Sequence, residues 1–253
     1  MAVMVILQWI RNDKARRMLE SSLRFKNRVL SVIAHDLKNP IASVAQFADL
    51  LVSKPQLSSK AHVRNSLRES SQAALTLLEN LLYWGRSESE RLSVTPEMID
   101  MKEIVKDVVS LYQHMALQKE LVFTTEVKKG LCAFADPVLI NIVLRNLVGN
   151  AIKFTRKGGS VQIRAWKEQD QIFCSVADTG VGIKEEYLEQ FETEGYLESS
   201  AGTDHEIGTG LGLQLIKDML EKNNGTLEIE SKTDVGSTFT FTLPKVNTDR
   251  DED

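Results

Sequence analysis

The sequence predicts an α + α/β chain: a helical hairpin that forms a dimeric four-helix bundle, followed by an α/β sandwich. Three observations carry this. Residues 12–52 hold no glycine and a single proline, Pro40, and their apolar positions recur at helical intervals. A second helical seam follows after one turn. From residue 97 onward, short β-like runs alternate with helical stretches, and two pairs of those runs are consecutive.

The first seam runs Leu19, Leu23, Leu30, Ile33, Leu37, Ile41, Val44, Ala48 and Leu51. Its steps are mostly three, four or seven residues, the repeat that keeps apolar side chains on one side of a helix. "SKPQLSSK" (53–60) reads as a turn. The second seam, Val63, Leu67, Ser70, Ala74, Leu77 and Leu81, alternates steps of four and three. One hairpin cannot bury both seams, and pairing two copies into a four-helix bundle can. Ahead of it, "MAVMVILQWI" is too short to span a bilayer, which needs about 20 residues. Two readings of residues 1–19 stay open: the start of a coiled-coil helix, or the membrane-proximal end of a helix that begins upstream. Trp9 beside Arg11, Arg16 and Arg17 suits a cytoplasmic membrane boundary.

The hairpin is assigned to 20–90, a polar linker to 91–96, the sandwich to 97–245 and an acidic tail to 246–253. Within the sandwich, "EMIDM" reads as a strand and 102–118 as a helix with Ile104, Val105, Val108, Val109 and Tyr112 on one side. "LVFTTEV" reads as a strand and 137–153 as a helix. "GSVQIRAW" with "QIFCSVAD", and "TLEIES" with "STFTFTLP", read as strand pairs, the second closed by "KTDVG". "KEEYLEQF" and 209–223 complete the helices. Consecutive strands in this order argue for a mixed sheet with helices on one face, not a doubly wound sheet.

Composition narrows the function. The chain is 42% hydrophobic and 26% charged with a net charge of −4, so it is an ordinary globular protein without a nucleic-acid footprint. Its two cysteines, Cys132 and Cys174, have no metal-ligand spacing and fit a reduced setting.

Four stretches carry chemistry. "DTGVGI" (178–183) follows a β-like run and "GTGLGL" (208–213) opens a helix. Each fits a tight turn, or a backbone shaped for close approach to a phosphate or base. The chain holds no P-loop, and "GVGIKE" lacks the third glycine of the dinucleotide fingerprint. In "RNLVGNAIKFT" (145–155), Asn146, Asn150 and Lys153 are spaced four and three apart and share one helix face. Two amides and a cation suit a hydrated Mg²⁺ and phosphate oxygens, since Mg²⁺ prefers oxygen ligands and keeps waters. In "SVIAHDLKNPIAS" (31–43), His35, Asp36, Lys38 and Asn39 interrupt an apolar helix just before Pro40.

In that order, "AHDLKNP", "NLVGNAIKFT", "DTGVGI", "GTGLGL" and "DVGSTFTFTLP" resemble the phosphoacceptor and nucleotide boxes of the sensor histidine kinases of two-component systems. The resemblance covers roughly residues 20–245. It implies that 97–245 is a Bergerat (GHKL-type) ATP-binding domain and 20–90 a dimerisation and histidine-phosphotransfer domain. His35 would be the phosphoryl acceptor. Imidazole is a competent nucleophile when its attacking nitrogen is unprotonated, and Asp36 can hold the proton on the other nitrogen. Asp178 would accept a hydrogen bond from the adenine amino group, where guanine would present a carbonyl. Asn150 would ligate Mg²⁺ with Asn146 supporting it, and Lys153 would reach phosphate. Phe154 fits either the core or the adenine side. Gly180 and Gly182 would allow close approach to the base. Gly208, Gly210 and Gly212, with Thr209 and Leu211 between them, would follow the triphosphate.

The resemblance also implies a homodimer, ATP and a response-regulator receiver domain as partners, and a cytoplasmic domain whose upstream membrane or sensor segment stays open. "DLKN" (36–39) matches the acid-x-x-Thr/Asn pattern that the family links to regulator dephosphorylation, which gives Asn39 a second activity. Two departures stand out. After Phe191 a second phenylalanine is usual, whereas this chain reads "FETEGYLESSAGTDHEIGTG", with Tyr196 as the candidate substitute. Asn224 stands where Gly-Gly is common. ATPases that share the nucleotide fold but hydrolyse ATP use a carboxylate four residues before the Mg²⁺-ligating Asn. Asn146 stands there and cannot act as a general base. Serine kinases of the anti-sigma type lack the hairpin. His62, His114 and His205 are expected at the surface.

Overall fold

The computed structural model describes residues 37–38, 40–53, separate positions between 63 and 85, 94–194, 203 and 212–246. His35, Asp36, Asn39, Gly208, Thr209, Gly210, Leu211 and Tyr196 lie outside the described residues, as do the expectations for 1–19 and for most of the acidic tail. The chain divides into two compact units, Met1–Leu81 and Leu82–Asp253. In the first, residues 40–53 are helical and so is every described position between 63 and 81. Val63 is buried there, whereas Ile41, on the expected seam, is 52% exposed.

The second unit begins with β1 (Glu97–Asp100) and α1 (Met101–Gln118). Asp100 ends the strand and caps the helix, accepting from the Lys102 N–H at 2.8 Å. β2 (Val122–Val127), β3 (Cys132–Ala135) and α2 (Pro137–Phe154) follow. Asp136 caps α2 by accepting from Val138 N and Leu139 N, and Pro137 sits where a helix needs no N–H donor. The second oxygen of the same buried carboxylate accepts from Thr95 N and Thr95 Oγ1. Its backbone N–H donates to Asn223 Oδ1 at 2.7 Å, so one residue ties the entering chain, α2 and the end of a later helix together.

β4 (Ser160–Glu168), β5 (Gln171–Asp178), α3 (Glu185–Glu194), α4 (Gly212–Lys222), β6 (Leu227–Lys232) and β7 (Gly236–Pro244) complete the unit. The main sheet has the order β2-β4-β5-β7-β6, with β2–β4 parallel and the other pairs antiparallel. It is the mixed sheet the strand order predicts. Val161, Ile163 and Ala165 of β4, Ile172, Cys174 and Val176 of β5, and Phe239, Phe241 and Leu243 of β7 bury one face. Apolar faces of α1, α2 and α4 complete that core. The alternate residues face the other way, where Trp166 and Phe173 stack with centroids 5.4 Å apart.

One strand goes beyond the sequence expectation. β3 pairs antiparallel with β1 in a separate two-stranded ribbon, from Glu97 opposite Ala135 to Asp100 opposite Cys132. The helix expected at 209–223 is described from Gly212.

Candidate nucleotide site

The site is built where β5 and α2 end. Asp178 is the last residue of β5, opposite Val161 of β4 and Ser237 of β7. Its Oδ1 accepts from Gly180 N at 2.8 Å and from Ser237 N at 3.3 Å. No hydrogen bond reaches its Oδ2 among the described residues, so that oxygen remains able to accept from a ligand. Burial pushes the carboxyl above its ordinary value, and the Gly180 and Ser237 N–H groups pull it partly back.

The loop after Asp178 is drawn tight against α2 and the β6–β7 turn. Val181 N donates to Phe154 O at 3.1 Å, Asp234 N to Val181 O at 2.8 Å, and Ile183 N to Ser231 Oγ at 2.8 Å. Gly180 is buried where a Cβ would lie 2.5 Å from Phe154 O and 2.7 Å from Asp178 Oδ1. Gly182 has φ +67°, and a Cβ on it would overlap the Lys232 carbonyl. Both glycines are therefore required by backbone packing, whatever they also offer a ligand.

Asn146, Asn150 and Lys153 lie half-buried on α2, as their spacing predicts. Asn146 Nδ2 donates to Ile142 O at 2.9 Å. Its Oδ1 lies 3.7 Å from where a Cβ on Gly212 would stand, which brings the start of α4 beside the amide-bearing face. Lys153 Nζ sits 4.8 Å from the centroid of the half-buried Phe154 ring, a cation–π contact. Neutral amide oxygens suit Mg²⁺, which keeps part of its water shell, so the donor set fits the cation the sequence implies. Among the described residues, no group of three or more His, Cys, Asp or Glu side chains gathers as an alternative metal centre.

The structure thus joins Asp178, Gly180 and Phe154 in one contact network and places Gly212 beside Asn146. His114 is exposed, as expected. Sequence reasoning passed over Ser237 and Thr179, whose Oγ1 accepts from Ser160 N at 2.8 Å and holds the end of β5 to β4. Both residues flank quoted glycines, and that adjacency was the available signal. Gly236 was missed as well: it has φ +136°, and a Cβ on it would strike the Asp178 carbonyl.

Two family models match separate parts of the chain. Residues 135–247 match the family model "Histidine kinase-, DNA gyrase B-, and HSP90-like ATPase". Residues 25–90 match "His Kinase A (phospho-acceptor) domain". The chain is 31% identical over 241 residues to the adaptive-response sensory kinase SasA of Synechocystis sp., covering 91% of this chain and 62% of that one. It is 27% identical to the autoinducer 2 sensor kinase/phosphatase LuxQ of Vibrio parahaemolyticus, covering 94% of this chain and 29% of that one. The chain therefore spans less than two thirds of either relative. The histidine kinase ThkA, solved in complex with the response regulator protein TrrA, shares the fold with a TM-score of 0.56 at 22% identity, covering 91% of this chain and 65% of that one.

Proposed function

Because this chain belongs to the sensor histidine kinase family, we propose that it transfers the γ-phosphoryl group of ATP to its own His35 and passes it to an aspartate on a response-regulator receiver domain. The observation that carries the nucleotide half is Asp178. Its Oδ1 is held by two backbone donors while Oδ2 stays open, at the end of a strand abutting the C-terminal turn of α2. A carboxylate fixed in that way selects a ligand that donates, as the adenine amino group does. Asn150 and Asn146 would hold Mg²⁺, which when bound neutralises phosphate charge. Lys153 would meet the phosphates, and the stretch from Gly208 through Thr209, Gly210 and Leu211 to Gly212 would follow them.

On the phosphoacceptor side, His35 supplies the attacking nitrogen, and Asp36 holds the proton on the other. Asn39, one turn further on, would orient water against an aspartyl phosphate and give the chain a second, opposing activity toward the regulator. The 52% exposure of Ile41 on its seam supports a homodimeric bundle. We further propose that the chain acts as a cytoplasmic domain. Among the described residues, no helix is long and apolar enough to cross a membrane. The reading is tested by incubation with γ-labelled ATP and Mg²⁺. An acid-labile, alkali-stable protein label is expected, and an acid-stable label or none would refute it.

A further inference from the structure

We propose that Ser231 is a positioning residue for the base-reading carboxylate: its hydroxyl locks the loop after Asp178 to β7, and so sets ATP affinity. The proposal rests on the nucleotide reading above.

Ser231 lies near the end of β6, opposite Ser237 of β7, and Ser237 in turn stands opposite Asp178 of β5. The half-buried Ser231 side chain meets three groups. Ile183 N donates to its Oγ at 2.8 Å, Gly236 O accepts from it at 3.0 Å, and Ser237 Oγ lies 2.8 Å away. A hydroxyl has one proton and two acceptor positions. With that proton on Gly236 O, the Ser237 hydroxyl is the donor to Ser231, and the capacity of Ser231 Oγ is filled. Ser231 is therefore committed to structure and is not itself a ligand for the nucleotide.

These contacts flank Asp178. Ile183 closes the loop that begins with Gly180, whose N–H donates to Asp178 Oδ1 at 2.8 Å. Gly236 packs so closely on the Asp178 carbonyl that a Cβ would overlap it. Ser237 N supplies the second donor to Oδ1, at 3.3 Å. Good N–H···O bonds span roughly 2.7–3.2 Å, so this one is already long and a small backbone shift at Ser237 breaks it. Ser237 is buried, and its hydroxyl is tied to Ser231. Without the Ser231 hydroxyl, the Ile183 N–H and the Ser237 O–H lose their shared acceptor, and Gly180 and Ser237 are freed to move away from Oδ1. The carboxylate then presents Oδ2 to the adenine position for a smaller fraction of the time, and apparent affinity falls by that fraction. One ordinary hydrogen bond corresponds to roughly a two- to twelvefold change, which is the weakening of ATP binding expected.

The test is calorimetric titration of the full chain with ATP. Ser231→Ala removes the hydroxyl, Ser231→Thr keeps it, and Ser231→Cys replaces it with a weakly bonding thiol. The expected result is weaker ATP binding for Ser231→Ala and Ser231→Cys, and wild-type affinity for Ser231→Thr. In the Asp178→Asn background Ser231→Ala should cost nothing further, because the carboxylate it positions is gone; a merely structural role would give the same loss in both backgrounds. ATP affinity of Ser231→Ala at or above the wild-type value would overturn the proposal. So would equal losses in the two backgrounds, or a Ser231→Thr variant as weak as Ser231→Ala. Ser231→Cys, the nearest in shape, keeps the test decisive should Ser231→Ala fail to fold. Failure of the wild-type chain to bind ATP, or an ATP affinity unchanged by Asp178→Asn alone, would overturn the nucleotide reading itself, a result distinct from any difference among Ser231 variants.

Discussion

Asp178→Asn is the sharpest probe of base recognition because the structure constrains how the new amide can sit. Asp178 Oδ1 accepts from two backbone donors, Gly180 N at 2.8 Å and Ser237 N at 3.3 Å. An asparagine must keep its oxygen there, since the reverse orientation would aim its NH₂ at two N–H groups. Its NH₂ then replaces Oδ2 and meets the adenine amino group donor to donor. The loss is one hydrogen bond to a charged acceptor, about 1.5–3 kcal/mol, or roughly tenfold to 150-fold in ATP affinity. The same amide would donate to the guanine carbonyl, so GTP should gain relative to ATP. Equilibrium titration of wild type and variant with both nucleotides measures this. Unchanged ATP affinity, or equal losses for ATP and GTP, would refute the reasoning.

Burial raises the Asp178 carboxyl above its ordinary value of 3.8, and the sign of two pH effects follows. The folded chain takes up a proton before the unfolded chain does, so this group's contribution to stability is present in acid and is lost as pH rises through the folded value. ATP binding should run the opposite way: the wild-type advantage over Asp178→Asn should shrink on acidification while pH is still above 3.8, whereas a constant affinity ratio down to pH 4 would contradict it. Gly182→Ala places a methyl group at φ +67° against the Lys232 carbonyl. It should destabilise the chain by at least about 1–2 kcal/mol in urea unfolding; no measurable loss would mean that the loop is not fixed as described. Asn39→Ala should keep autophosphorylation within a few-fold while losing most acceleration of regulator dephosphorylation. Loss of both activities together would return Asn39 to a structural role.

What the sequence disclosed depended on whether partners were close along the chain. The face of Asn146, Asn150 and Lys153 follows from helical spacing alone, and it appears on α2 as expected. The main strands announce themselves through alternation, as in "STFTFTLP", where Phe239, Phe241 and Leu243 turn inward. β3 did not, because four residues with two buried alanines carry little β signal. The hydrogen bond from Lys119 Nζ to Thr203 Oγ1, 2.7 Å long, was equally hidden. Lys119 and Thr203 are 84 residues apart, and each alone reads as a polar residue at the end of a helix or within a polar stretch. Asp178 was readable as a candidate ligand group, but Ser237, which donates to its Oδ1, came into view only with the β5–β7 register.

The most direct measurement of the central claim is labelling of the His35→Gln variant with γ-labelled ATP, alongside its equilibrium ATP affinity. The matched phosphoacceptor region, residues 25–90, is separate in sequence from the matched ATPase region, residues 135–247. The account predicts complete loss of the label with ATP affinity unchanged from wild type. A label that persists at wild-type stoichiometry in the variant would contradict the assignment of His35 as the phosphoacceptor.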